Sequence, residues 1–114
     1  MRGSVGDKAR ILHILEAINE IESYIANTSF KDFVENSMMR FASIKQMEII
    51  GEASNHLSDS VKKKFSAIEW SQIVGMRNVF VHEYFGIDNQ ILWDIIKNDI
   101  PELKLKIQEM INNK

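Results

Sequence analysis

The sequence has no cysteine, one proline and five glycines among its 114 residues. The missing cysteine excludes a disulfide framework, a thiol nucleophile and a thiolate zinc site. The shortage of proline and glycine removes the usual helix breakers. Between Asp7 and Ile100 the glycines are Gly51, Gly75 and Gly86, and the one proline is Pro101. Such a chain favours long helices. No apolar run approaches the roughly 20 residues of a membrane span. No signal-peptide pattern opens the chain, so the Asn27-Thr28-Ser29 sequon has no use and the cytoplasm is the expected location. Strong positive charge is also absent. A formal net charge of −2 argues against a surface coated for DNA and leaves room only for a local basic cleft.

What is present is a soluble composition, 45% hydrophobic and 26% charged. A chain of this length buries roughly two-thirds of its unfolded surface and needs no covalent staple. The opening Met1-Arg2-Gly3-Ser4 resembles a vector remnant as much as native sequence. Residues 1–6 are therefore set apart as an extension, and 7–114 are read as one helical domain. The 17 isoleucines would suit strands by propensity, but their spacing decides otherwise.

Ile11, Ile14, Leu15, Ile18, Ile21 and Ile25 recur at three- and four-residue steps, one stripe of a helix that Asp7 is placed to cap. Ser29 and Asp32 form a short capping box ahead of a turn carrying Phe30 and Phe33. A second long helix is predicted from about Ser37 to Leu57. Met39, Ala42, Ile49, Ile50, Ala53 and Leu57 share one face of it, and Phe41, Ile44 and Met47 share another. Ser58-Asp59-Ser60 then caps a short turn at Val61–Phe65. A third segment from Trp70 to Phe85 is apolar on nearly every side. Asp88 caps a fourth, and Pro101 and Glu102 suit the first turn of a last one. The expected fold is an all-α bundle of four to six helices.

Most chemical motifs fail. There is no glycine-rich phosphate loop. His82-Glu83 begins like a zinc-protease helix, but Gly86 stands where the second histidine belongs. His13, His56 and His82 are too scattered to propose a metal site, and no cofactor is called for. Glu48 and Glu52 read as a solvated acidic edge. Lys62-Lys63-Lys64 is the one basic run, a solvated turn unless it holds a phosphate backbone. Trp70 and Trp93 read as anchors of the bundle, and Tyr24 and the methionines as packing.

The remaining candidate is the stretch Arg77-Asn78-Val79-Phe80-Val81-His82-Glu83-Tyr84, where polar groups interrupt the most apolar segment. Burying them costs several kcal/mol unless partners satisfy them. They form either a polar network that fixes helix packing or a site. On a regular helix Asn78 and His82 stack one turn apart, while Arg77 and His82 diverge by about 140°. The arginine would have to wrap around, or a two-fold axis would have to bring up a second copy. A cleft with histidine and arginine suits RNA cleavage by the neighbouring 2′-hydroxyl. Histidine exchanges protons near neutral pH, and arginine opposes the charge of the phosphorane.

At this stretch the chain resembles a known family. Arg77-x4-His82-x-Tyr84 matches the signature of HepT-like proteins of the HEPN superfamily. The lead-in from Trp70 to Asn78, the exit from Tyr84 to Asp88 with Trp93 beyond, Ile49-Ile50-Gly51-Glu52-Ala53 and the stretch from Asp7 to Ile18 are similar to the family as well. Family members often carry a proline near Ala67–Glu69, which this chain lacks. The resemblance implies a HEPN helical bundle acting as a symmetric homodimer. It implies a metal-independent endoribonuclease, the toxin of a toxin–antitoxin pair. Arg77 and His82 match the catalytic pair, and Asn78 occupies the supporting polar position. Tyr84 matches the tyrosine that the partner, an MNT-type minimal nucleotidyltransferase antitoxin, modifies with AMP. The other reading is a non-catalytic HEPN module that binds nucleotide or scaffolds the nucleotidyltransferase. The net acidity implies that RNA is held locally, with help from Arg40 or the lysine run.

Overall fold

The isoleucine stripe forms α1, Arg2–Ile25, in the computed structural model, which describes residues 2–75 and 88–112. Ile14, Ile18 and Ile21 are fully buried along it. Each such side chain contributes roughly 1.5–3 kcal/mol by leaving water. The helix starts five residues before the expected cap, so Asp7 lies inside it. Asp7 is instead a buried group with a distant partner. Its Oδ1 accepts from Ser58 N at 2.9 Å and its Oδ2 from Ser58 Oγ at 2.6 Å. Ser58 needs the help because its own hydroxyl accepts from Val61 N as the cap of α4, Asp59–Lys64. One carboxylate thus joins the second turn of α1 to the start of α4.

Asn27, at φ 58°, turns the chain out of α1; asparagine tolerates that left-handed conformation better than most residues. Ser29 caps α2, Phe30–Glu35, by accepting from Asp32 N, as its spacing predicts. Asn36 then caps α3, Ser37–Asn55. The two apolar stripes expected on α3 do not serve two sides equally. Ile44, Met47 and Ile50, drawn from both stripes, form one buried line with the small residues Ser43, Gly51, Ala53 and Ser54, while Met39, Phe41 and Ile49 are half-buried. Small side chains let helices approach closely, and α1 packs along α3. The helix ends at Asn55, capped by His56, and Leu57 is buried in the turn that follows.

After α4 the chain turns through Phe65–Glu69. Hydrogen bonds from Ile68 N to Phe65 O and from Trp70 N to Ile68 O shape this turn, which holds no proline. Residues 70–75 are helical, α5. The predicted fourth and last segments are not separate. The chain is helical from Asn89 to Asn112: α6, Asn89–Asp94, passes through a π-helical turn at Ile95–Asp99 into α7, Ile100–Asn112. Pro101 explains the wide turn. Proline has no N–H to donate, and its ring crowds the carbonyl four residues back. A turn closed by Ile100 N on Ile95 O opens that space without ending the helix.

The core is one cluster. Leu103, Ile107 and Met110 of α7 join the α1–α3 pair, and α2 docks through the fully buried Phe33. Trp93 of α6 lies 5.0 Å from Phe33 and 6.0 Å from Phe30, ring centre to ring centre, which fixes α2 against α6. Counting 89–112 as one helix, the described residues hold six helices and no strand. This is the all-α architecture expected.

Candidate functional site

The four predicted site residues, Arg77, Asn78, His82 and Tyr84, lie outside the described residues. What the structure describes is the frame that delivers the chain to them and receives it afterwards. On the entry side Trp70 is 8% exposed, and its Nε1–H donates to Phe65 O at 3.2 Å. Ile73 N and Gln72 N both reach back to Glu69 O, closing the first turn of α5. On the exit side the Asp88 carboxylate accepts from Gln90 N at 2.7 Å and Ile91 N at 3.2 Å. Leu92, one turn on, is 1% exposed. Both ends of the segment are therefore anchored by a cap or turn and by a buried side chain. Both tryptophans are structural, as expected; the Lys97 amine sits 5.4 Å from the centre of the Trp93 ring.

The other residues singled out by sequence separate cleanly. His13 is exposed on α1. His56 lies 2.7 Å from the Glu52 carboxylate, and Glu48 is turned to Lys45 at 3.9 Å, so the two glutamates have different neighbours. Among the described residues no group of three histidines and carboxylates converges as a metal would require. Tyr24 packs against the core, as expected, and its hydroxyl accepts from Gln46 Nε2 of α3 and donates to Glu20. Arg40 is half-buried between α2 and α3. Its guanidinium donates to the Val34 carbonyl at the end of α2 and lies 5.9 Å over the Phe41 ring. The lysine run closes α4, where its charge complements the negative end of the helix.

A cavity of about 350 Å³ opens between the start of α5 and the π-turn. Ile73, Ile95 and Leu103 line its floor, and Glu69, Asp99 and Glu102 its polar side. The one lysine there, Lys106, donates to Ala67 O at 3.4 Å. Three carboxylates against one committed amine give the wrong sign for a phosphate chain. The cavity is not where RNA would react.

Sequence reasoning missed the clasp between Asp7 and Ser58. Its only signal was an acidic residue ahead of a helical stripe, and that pattern points first to a cap.

A model of the family described as "Ribonuclease HepT-like" matches residues 14–110. The chain is 39% identical over 101 residues to a protein of Methanocaldococcus jannaschii named "Putative RNase", covering 89% of this chain and 93% of that one. It is 36% identical over 99 residues to a "Putative RNase" of Caldanaerobacter subterraneus subsp. tengcongensis, covering 87% and 88%. It is 39% identical over 97 residues to the "Probable ribonuclease HepT" of Thermococcus cleftensis, covering 85% and 88%. No solved structure matches. No helix among the described residues is long and apolar enough to cross a membrane. A match over most of the chain, with relatives aligned nearly end to end, makes this chain a member of the HepT-like ribonuclease family of the HEPN superfamily.

Proposed function

We propose that the chain is a metal-independent endoribonuclease that cuts RNA through the RNA's own 2′-hydroxyl, with Arg77 and His82 as the catalytic residues. The observation that carries the reading is an intact Arg-x4-His-x-Tyr signature inside the segment matched by a family of ribonucleases. The chemistry fits those residue types. His82 takes the proton of the 2′-hydroxyl, the freed oxygen attacks the adjacent phosphorus, and the bond to the 5′-oxygen breaks as that oxygen takes a proton from the imidazolium so formed. The products are a 2′,3′-cyclic phosphate and a 5′-hydroxyl. Arg77 offers paired N–H donors to the phosphorane oxygens as their charge develops. Asn78 supplies a further donor beside it.

Because Arg77 and His82 diverge on a regular helix, the cleft is read as shared by two copies of the chain about a two-fold axis. The protein then acts as the toxin of a cytoplasmic toxin–antitoxin pair, within a single helical domain over 7–114. Its antitoxin is an MNT-type nucleotidyltransferase that transfers AMP from ATP to Tyr84. The tyrosine oxygen attacks the α-phosphorus, and pyrophosphate leaves. The added anion repels RNA phosphates and fills the cleft.

The test is RNA cleavage in excess EDTA by the wild type, His82→Ala and Arg77→Ala, with circular dichroism to confirm that all three are folded. Cleavage by the wild type alone, leaving 2′,3′-cyclic phosphate ends, is expected. Equal cleavage by all three overturns the proposal. So does an inactive wild type whose Tyr84 peptide carries no AMP by mass, which is the outcome for a binding module.

A further inference from the structure

Among the described residues the cations divide by what they touch. Lys45 meets Glu48, and Lys104 meets Glu22 at 2.8 Å. Lys106 and Arg40 are bound to carbonyls, and Lys97 covers Trp93. Lys8, Arg10, Lys62 and Lys63 meet no carboxylate among the described residues, and Lys64 stands 5.5 Å over the ring of Phe65. These five belong to two elements that the Asp7–Ser58 clasp brings together. Lys8 follows Asp7 directly. Arg10 folds back along α1 toward the clasp, over Gly6, where an added Cβ would lie 2.7 Å from its guanidinium nitrogen. The lysines stand within about 9 Å of Ser58, the length of a six-residue helix. Two carboxylates share the corner with these five cations and leave it net positive. Asp7 keeps its charge while bound to Ser58, and Asp59 stands one turn before Lys62 and Lys63.

Five cations without a carboxylate partner among the described residues therefore meet at one corner, built from residues some fifty positions apart in the chain, while Lys31 stands apart on α2. We propose that this α1–α4 corner binds the phosphate backbone of the RNA substrate, outside the cleavage site. The inference rests on the ribonuclease reading for the identity of the polyanion. Lysines hold phosphates as point charges and read no bases, so the corner adds affinity without sequence preference.

The experiment measures binding of a fluorescent single-stranded RNA of about 20 nucleotides, fully 2′-O-methylated so that it is not cut, longer than one single-strand site. The variant Lys62→Gln/Lys63→Gln/Lys64→Gln is expected to bind about 10- to 100-fold more weakly near 0.1 M salt, with a log–log salt slope shallower by about 2. Lys8→Gln/Arg10→Gln is expected to lower the slope by about 1.4. A control, Lys31→Gln/Lys45→Gln/Lys104→Gln, removes the same net charge elsewhere and binds as the wild type does. If the wild type binds and the corner variants match it, the inference is overturned. It is also overturned if the control falls as far as the corner variants. If the wild type neither binds this RNA nor cleaves an unmodified one, the ribonuclease reading falls and takes the inference with it.

Discussion

Ser43 and Ser54 are fully buried on α3, and neither hydroxyl has a hydrogen-bond partner. A hydroxyl shut away from water without a partner costs free energy, while its small size is what the seam against α1 needs. Alanine keeps the size and removes the cost. Ser43→Ala and Ser54→Ala are each expected to stabilise the fold by about 1 kcal/mol, read as a higher urea midpoint at unchanged slope. Asp7 is the opposite case, a buried polar group fully used. Asp7→Ala strands the Ser58 N–H and hydroxyl and is expected to cost about 2 kcal/mol. Asp7→Asn retains one acceptor and should lose less. At the proposed site, His82→Ala and Arg77→Ala are expected to abolish RNA cleavage with melting temperatures within a few degrees of the wild type. A large drop in melting temperature would mark those residues as packing groups instead.

At the scale of elements, α2 is six residues long and cannot hold a helical conformation alone. It is kept by the Ser29 cap and by Phe33, which is fully buried beside Trp93. Phe33→Ala is expected to cost about 3–5 kcal/mol, with the loss of near-ultraviolet signal from Trp93. The long helices were legible because their apolar spacing repeats over several turns, as with Ile14, Ile18 and Ile21. Local caps were legible where donor and acceptor lie within three residues, as at Ser29 and Asp88. Two features escaped. Asp7 looked like a cap because its real partner is Ser58, and a contact across 51 positions leaves no local pattern. The junction at Pro101 looked like a break because sequence distinguishes poorly between a helix that stops at proline and one that widens a turn to pass it.

For the whole molecule, the proposed site rests on a motif, since polar residues inside an apolar segment demand a reason. The family follows from the match over 14–110. Whether Arg77 and His82 act within one chain or across two was not legible, because their angular separation on a helix permits both. Mixing decides it. Arg77→Ala and His82→Ala proteins, each inactive, are expected to recover a fraction of the wild-type rate when unfolded and refolded together, because a mixed dimer holds one intact arginine and one intact histidine. No recovery would assign a complete site to each chain.

The clasp between Asp7 and Ser58 also makes the amino-terminal turns of the chain a mechanical part of a distant helix. α4 has six residues and no fully buried side chain, so little besides its cap and that carboxylate keeps it wound. A bulky fusion that frays the first two turns of α1 would withdraw Asp7 and let α4 open. In hydrogen exchange, amides 58–64 should then lose protection while those of α3 keep theirs. The extreme start of the chain would thereby govern how firmly the lysine-bearing corner is held.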